Sequence, residues 1–139
     1  MQTNEIAYIA GLFDGEGSIY YKKTTVRRKT RKNTSDCWQI RMELAMTDKD
    51  VVEWVWKTLA RGTFGERKVT NKGIKGVRKR QWRWRCGYRD ALYVCKLLWP
   101  FAQVKLHKIE KIIDHYEPDH VMDGKVVGFQ HYKLWMNLE

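Results

Sequence analysis

Residues 9–17 read IAGLFDGEG, a run of small and apolar residues that ends in two carboxylates, each followed by a glycine. Across residues 6–13 the only polar side-chain group is one tyrosine hydroxyl, and a helix that is apolar all round is buried on more than one side. We expect this helix to begin near Asn4, as its N-cap, and to end at Phe13 or Asp14.

A stripe of small residues follows one face of this helix. Ala7, Gly11 and Gly15 are four positions apart and therefore lie above one another along the helix. A glycine inside a helix costs about 1 kcal/mol relative to alanine. Two explanations fit: another backbone approaches the stripe closely, or Gly11 lies under a large core side chain.

Two acids stand at the end of the helix where they are least favourable. The unpaired carbonyls of a helix C-terminus carry partial negative charge, which disfavours Asp14 and Glu16 by about 0.3–1 kcal/mol. A divalent cation reverses this preference, because carbonyls and carboxylates are the hard oxygen ligands that Mg²⁺ binds. The pattern therefore indicates a metal site, and Gly15 and Gly17 let the chain turn sharply beside it.

The basic residues are segregated along the chain. The 139 residues carry a formal net charge of +11, and two acid-free stretches, 22–32 and 67–85, hold 16 of the 27 lysines and arginines. A surface selected only for solubility mixes both signs. This segregation is typical of a protein that binds a polyanion, with nucleic acid the leading candidate; flexible basic loops without a partner are the alternative.

Hydrophobic periodicity predicts an α+β domain of order α-β-β-α-β-β-α-α, with one antiparallel sheet. Strands are expected after Gly17 and near residues 37–46, 63–69 and 80–88, where the last places Trp82, Trp84, Cys86 and Tyr88 on its apolar face. Helices must cover that face of the sheet. The opposite face carries glutamine, arginine and glutamate and stays open, so it suits the major groove of DNA.

Three further helices are expected after the first. Thr47 is the predicted cap of one, in a capping box with Asp50. Asp90 is the predicted cap of the next, which ends before Pro100 because proline disfavours helical geometry in its predecessor. The last is expected over about residues 103–116, with Val104 in its apolar set.

Length and cysteine content exclude several classes of protein. The chain is long enough for one domain, 1–139, in which the tail 117–139 has no clear assignment. Cys37, Cys86 and Cys95 form no CxxC pair, which argues against a zinc knuckle or a disulfide scaffold and for an intracellular protein of open compartment. No apolar stretch approaches the length of a membrane span, so a membrane is not expected as a partner. With nucleic acid as the expected partner, no small-molecule substrate is expected either.

The segment YIAGLFDGEGSI resembles the motif of the LAGLIDADG homing endonucleases. Residues 9–17 cover all nine motif positions, and Glu16 stands where the motif has its second aspartate. Five positions match the motif letters outright: Ala10, Gly11, Leu12, Asp14 and Gly17. The resemblance covers about residues 5–116 and implies an αββαββα fold with a four-stranded antiparallel DNA-binding sheet covered by helices on one face.

The resemblance also implies an assembly and an activity. A chain with one motif forms a homodimer whose motif helices pack together, which here puts Ala7, Ala10, Gly11 and Asp14 at the interface. The implied activity is metal-dependent hydrolysis of phosphodiester bonds in double-stranded DNA, at a long near-palindromic site. The cofactor is Mg²⁺ or another divalent cation such as Mn²⁺.

Individual residues take roles from the same resemblance. Glu16, Asp48 and Lys105 are the implied catalytic residues, and Glu16 and the Gly15 carbonyl the implied metal ligands. Motif alignment, strand parity and the basic stretches together predict these DNA contacts: Tyr20, Lys22, Thr24, Arg27, Arg28, Lys29, Arg31, Lys32, Gln39, Arg41, Glu43, Arg67, Lys68, Lys72, Lys75, Arg78, Lys79, Arg80, Arg83 and Arg85.

Three alternatives stay open. A cleavage-deficient relative, acting as an intron maturase or a transcriptional regulator, keeps the DNA-binding features, and Glu16 in place of aspartate is compatible with it. Asp48 is explained equally well as a residue of a capped helix. A different nuclease class is suggested by DHYEPDH at 114–120, although a charged helix end before Pro118 is the simpler explanation; its potential ligands are Asp114, His115, Glu117, Asp119 and His120.

Overall fold

The helices and strands follow one another in the predicted order. The computed structural model describes residues 1–27, 34–68 and 79–118. Along the chain the elements are α1 (Thr3–Glu16), β1 (Gly17–Arg27), β2 (Thr34–Met46), α2 (Lys49–Leu59), β3 (Thr63–Arg67), β4 (Gln81–Gly87), α3 (Arg89–Leu98) and α4 (Leu106–Tyr116). The strands of this described part form one antiparallel sheet in the order β1-β2-β4-β3, which confirms the α+β prediction.

The register of the sheet separates an apolar face from a polar one. Met42 and Leu44 of β2 are fully buried, and they oppose Ile19 of β1 and Trp84 of β4. The helices cover this face: Phe13 of α1, for example, meets the Trp84 ring edge to face at 6.3 Å between centroids. Because strand residues alternate in direction, the intervening polar residues lie on the other, open face of the sheet.

The connection from α1 to β1 contains no loop. The Gly17 N–H donates to the Phe13 carbonyl, and a β-carbon built on Gly17 would lie 2.5 Å from the Phe13 ring. Gly17 has φ −80°, which any residue adopts, so the close approach of Phe13 rather than backbone freedom requires glycine here. The helix therefore extends beyond its predicted end and carries Glu16 as its last residue.

Replacing Gly17 with alanine is expected to lower the free energy of unfolding by about 1–3 kcal/mol, as overpacking in a filled site does. Phe13 is only 2% exposed and has little room to move away from the new methyl group. Urea unfolding measures the change. Gly65→Ala is the matched control, because a β-carbon on Gly65 meets nothing within 4 Å. Equal losses in both variants would contradict this explanation.

Two predicted caps of the first two helices are wrong by one or two residues. The N-cap of α1 is Gln2 rather than Asn4. The N-cap of α2 is Asp48 rather than Thr47, and its Oδ1 accepts the Val51 N–H at 3.1 Å. Neighbouring polar residues can each occupy a cap position, and helix ends shift by one or two residues accordingly.

Three further expectations fail where strands, helices and their connections join. Tyr88 follows the end of β4 with φ +55° and is 57% exposed, so it does not continue the buried face of that strand. Tyr88 is also the N-cap of α3, which places Asp90 inside the first turn rather than at the cap. Val104 is 68% exposed and precedes α4, so it does not belong to the apolar set of that helix.

Some predictions lie outside the described residues. Those at positions 28–33, 69–78 and 119–139 include the DNA contacts Arg28, Lys29, Arg31, Lys32, Lys72, Lys75 and Arg78 and the potential ligands Asp119 and His120. Arg27 is described only as the last residue of β1. In the described part of the chain, each helix is too short or too polar to cross a membrane.

Candidate active site and nucleic-acid interface

The last residue of α1 presents an exposed carboxylate. No hydrogen bond or ion pair engages the Glu16 side chain within the described residues. The carbonyls in the last turn of a helix lack partners in the helix itself, and Gly15 is in that turn. The end of α1 therefore combines a carboxylate with backbone carbonyls, and both are hard oxygen ligands.

Asp14 ties this end of α1 to the connection between α3 and α4. Its two carboxylate oxygens accept the backbone N–H of Gln103 at 2.8 Å and that of Lys105 at 3.1 Å. The Lys105 ammonium in turn donates to the Asp14 carbonyl at 2.7 Å. The structure thus brings Lys105 to the same helix end as Glu16, across about ninety residues of sequence.

Asp48 lies on the connection from β2 to α2. Leu44 of β2 pairs with Gly17 of β1, so this connection leaves the sheet at the end where α1 meets β1. The Asp48 carboxylate caps α2 there through the Val51 N–H. The helix-capping role is therefore observed, whereas the catalytic role stays a prediction.

The donor atoms at the end of α1 fit a metal ion that is shared with another ligand. No three His, Cys, Asp or Glu side chains converge within residues 1–27, 34–68 and 79–118. Mg²⁺ keeps several waters and binds one or two carboxylates together with phosphate oxygens, rather than a cage of protein ligands. Glu16 and the Gly15 carbonyl suit such a site and do not form a metal cage of their own.

The open face of the sheet is polar and mostly basic. Tyr20 and Lys22 of β1 oppose Arg41 and Gln39 of β2, and all four are exposed. The register places every predicted base-reading residue on this face: Tyr20, Lys22, Thr24, Gln39, Arg41, Glu43, Arg83 and Arg85. Four predicted phosphate contacts, Arg67, Lys68, Lys79 and Arg80, are exposed beside β3 and β4.

The arginines on the open face, which strand parity predicts to be equivalent, have different contacts in the structure. The Arg83 guanidinium lies 3.7 Å from the Glu43 carboxylate, and both side chains are only partly exposed. The Arg41 guanidinium lies over the Tyr20 ring at 4.6 Å. Beside Arg41 a concavity of about 520 Å³ opens, and Gln39, Arg85 and Gly87 contribute to its walls.

The side of α1 away from the core is uncovered by the residues that the structure describes. Tyr8 is 56% exposed, and β-carbons built on Gly11 and Gly15 meet no described atom within 4 Å. Among the described residues no core side chain lies over Gly11, which argues against one of its two explanations. Ala10 is a correction to the predicted interface, because it is 1% exposed and packs in the core of its own chain.

An apolar groove borders this uncovered side of α1. Tyr8 and Trp54 meet edge to face at 5.7 Å between ring centroids, and with Val51 they line a concavity of about 530 Å³. This pair is not among the residues predicted from the sequence. Each of these helices has an aromatic residue on its exposed side, Tyr8 on α1 and Trp54 on α2. Hydrophobic periodicity alone does not show that these two residues meet.

The residues of the segment 114–120 that the structure describes have structural contacts. The His115 ring packs against Tyr21 and Trp38, and its Nδ1 lies 3.2 Å from the Tyr21 hydroxyl. Glu117 accepts from the Lys96 ammonium at 2.7 Å. These contacts attach the end of α4 to β1, β2 and α3. They agree with the simpler explanation of this segment as a charged helix end.

The two buried cysteines are poor candidates for chemistry. Burial raises the pKa of the Cys86 thiol to about 12, with a further contribution from the Asp90 carboxylate. Burial also raises the pKa of Cys95 well above its ordinary value. Both therefore remain neutral thiols near pH 7, whereas nucleophiles and metal ligands need the thiolate.

The α+β fold therefore carries a candidate hydrolytic site, the acidic end of α1, beside a candidate nucleic-acid interface, the open and mostly basic face of the sheet. Comparison with solved structures defines the fold further, although neither a protein-family model nor a curated protein matches the sequence. The chain has the fold of the LAGLIDADG homing endonucleases, as the motif resemblance predicted.

Three of the similar structures illustrate the match. The archaeal intron-encoded homing endonuclease I-Vdi141I, complexed with DNA, has a TM-score of 0.58 and 16% identity, over 97% of this chain and 82% of its own. The homing endonuclease I-TnaI has a TM-score of 0.55 and 16% identity over 99% and 97%. I-CvuI, in complex with a DNA target in the presence of Mg²⁺, has a TM-score of 0.53 and 19% identity over 95% and 82%.

Proposed function

We propose that the chain is a site-specific endonuclease that cleaves double-stranded DNA as a homodimer with a divalent metal ion, on a long near-palindromic site. The observation that carries this proposal is the end of α1. An exposed Glu16 stands there two residues from Asp14, whose carbonyl binds the Lys105 ammonium. A carboxylate and a cation at one helix end, beside a basic sheet face, suit the hydrolysis of a phosphodiester.

The roles of the residues follow from their chemistry. Glu16 and the Gly15 carbonyl would hold the metal ion, which when bound activates water and stabilises the leaving oxygen. Lys105 adds positive charge near the reacting phosphate, where negative charge develops. Asp14 positions Lys105 through the backbone of residues 103–105. Asp48, on the adjoining connection, orients water in this proposal.

The uncovered side of α1 is the proposed dimer interface. A two-fold axis beside Gly11 brings two α1 helices together and sets two Glu16 residues side by side, one for each DNA strand. Gly11 and Gly15 allow the backbones to approach, and the apolar groove of Tyr8 and Trp54 extends the contact. Ala7 is half-buried on the same helix and belongs to this surface.

Gly11→Leu is expected to abolish the dimer without harming the fold of the chain. A side chain at position 11 meets open space within residues 1–27, 34–68 and 79–118, and leucine is a better helix former than glycine by almost 1 kcal/mol. Sedimentation should show the mass of one chain, and double-strand cleavage should disappear. Lys108→Leu, which adds leucine to an exposed position of α4, is the matched control. A dimeric Gly11→Leu variant would contradict the proposed interface.

Selection from a randomised duplex library tests the function as a whole. The protein is expected to select a near-palindromic duplex, and incubation with Mg²⁺ should then cut both strands, whereas a chelator should prevent cutting. Affinity should fall steeply with salt, with a log–log slope of about −0.9 for each phosphate contact. A flat salt dependence would contradict the basic interface.

A second candidate is a DNA-binding protein without cleavage activity, such as an intron maturase or a transcriptional regulator. Glu16 is the observation in favour of this second candidate. Its side chain is one methylene longer than that of the motif's aspartate, so its carboxylate reaches further than the aspartate carboxylate does. Tight binding of the selected duplex that stays intact with Mg²⁺ and with Mn²⁺ would support this candidate against the endonuclease.

A further inference from the structure

We propose that Arg41 and Arg85 read guanine bases in the target, a proposal that rests on the DNA-binding function proposed above. On the open face Arg41 opposes Gly87, and Arg85 lies two residues before Gly87 on the same strand, so the two arginines are diagonal neighbours. A guanidinium donates two parallel hydrogen bonds to the N7 and O6 atoms of guanine, the commonest specific contact in the major groove.

The acids near these two arginines are paired with other residues. Glu43 opposes Arg85 in the register, yet its carboxylate lies 3.7 Å from the Arg83 guanidinium. Asp90, at the rim of the concavity, lies 3.7 Å from Arg61. Across the described residues no carboxylate forms an ion pair with either proposed reader. Their donors are therefore available to a ligand, while Arg83 is partly neutralised.

Arg41 is held in place before DNA arrives. Its guanidinium lies over the Tyr20 ring at 4.6 Å, and the ring keeps 40% of its surface exposed. A guanidinium stacked on a ring loses less conformational freedom when it forms a hydrogen bond. Lysine keeps the charge but has neither the plane nor the paired donors, so it cannot replace arginine in this contact.

The space for a base edge comes from Gly87. With no side chain opposite Arg41 on β4, the concavity of about 520 Å³ extends between the two arginines. A β-carbon at this position would lie 3.1 Å from the Ile40 carbonyl oxygen. Diagonal neighbours on a sheet are about 7–8 Å apart. Because base pairs rise by about 3.4 Å, the two guanines are expected about two steps apart.

The library selection described above is the first test. The wild-type protein should select two G·C pairs in each half-site, about two steps apart. Arg41→Lys should relax one of these positions and Arg85→Lys the other, each by roughly 5- to 150-fold in discrimination. Tyr20→Leu should weaken discrimination only at the position read by Arg41. Affinity for random DNA should change little, because lysine keeps the phosphate-attracting charge.

A double-mutant cycle that combines Arg41→Lys with 7-deazaguanine in the DNA tests the contact between Arg41 and guanine, since 7-deazaguanine lacks the N7 acceptor. Substitution of the guanine assigned to Arg41 should weaken binding of the wild type but cause no further weakening in Arg41→Lys. Arg89→Lys is the matched control, because Arg89 also stacks on a tyrosine, Tyr116, but on the helical side of the sheet. It should leave the selected sequence unchanged.

Three results would overturn the proposal. The first is the selection of half-sites without guanine, and the second is a loss of affinity for the combined change that equals the sum of the losses for Arg41→Lys and for 7-deazaguanine. The third is an Arg83→Lys variant that relaxes specificity as much as Arg41→Lys does. Failure of the DNA-binding function would be distinguishable from these, because no duplex would then be selected above random DNA. In that case neither proposal survives.

Discussion

Glu16→Gln is expected to reduce double-strand cleavage by roughly 10²–10³-fold or more, the scale at which removal of one charge-stabilising group lowers turnover. Glutamine has the same length and shape, but a neutral amide is a much weaker ligand for Mg²⁺ than a carboxylate. Glu16 is exposed and has no partner within the described residues, so the fold and the DNA affinity should be unaffected. Cleavage of the selected duplex and binding in Ca²⁺ measure the two effects separately.

Two variants complete this experiment. Glu16→Asp restores the aspartate of the motif and should cleave at least as fast as the wild-type chain. Glu53→Gln is the matched control, because among the described residues Glu53 forms one surface ion pair, with Lys57, and such pairs contribute about 0–1 kcal/mol. Undiminished cleavage by Glu16→Gln would refute the metal-binding role, and loss of DNA binding would show a structural one.

Asp14→Asn is expected to lower the free energy of unfolding by about 1–3 kcal/mol, the range for leaving partly buried donors without an acceptor. The wild-type carboxylate accepts from two backbone N–H groups, those of Gln103 and Lys105. An amide keeps one acceptor oxygen and turns its NH₂ group towards the other N–H. Urea unfolding measures the change, and cleavage should also fall because the connection that carries Lys105 is displaced.

Lys105→Gln separates the loss of stability expected for Asp14→Asn from the loss of cleavage. The backbone bonds to Asp14 remain in that variant, so its stability should be close to that of the wild type, whereas cleavage should fall as in Asp14→Asn. The substitution removes the hydrogen bond that the Lys105 ammonium donates to the Asp14 carbonyl. If both variants were equally unstable, Lys105 would be structural; if neither changed cleavage, the site at the end of α1 would be wrong.

Much of the fold could be predicted because period-two and helical patterns depend on local sequence. The alternation around Met42 and Trp84 predicts both buried strands, and both residues are fully buried. The motif at 9–17 predicts α1 together with its acidic end. The junctions between elements were less predictable, as Tyr88 shows. This residue joins β4 to α3 with a positive φ, and the direction in which α3 leaves the sheet is not encoded in any local sequence pattern.

The candidate site divides in the same way. The sequence identifies Glu16 as an acid at a helix end and Arg41 as a residue of a polar strand face. It does not predict that Asp14 holds the connection at 103–105, because that contact joins segments about ninety residues apart. Nor does it predict which arginine Glu43 pairs with: Arg85 lies opposite Glu43 in the register of β2 and β4, yet the ion pair is with Arg83.

The sequence by itself determined which residues have the chemistry for the function. They are a stripe of small residues on one helix, two acidic residues at the end of that helix, and arginines and lysines on the polar face of the strands. Only the tertiary structure decided which of them are available. Packing buried Ala10, ion pairing occupied Arg83 and backbone contacts engaged Asp14, while Glu16, Gly11 and Arg85 were left exposed. The physical reason is that exposure and pairing depend on contacts between distant segments, whereas periodicity and motif record only neighbours along the chain.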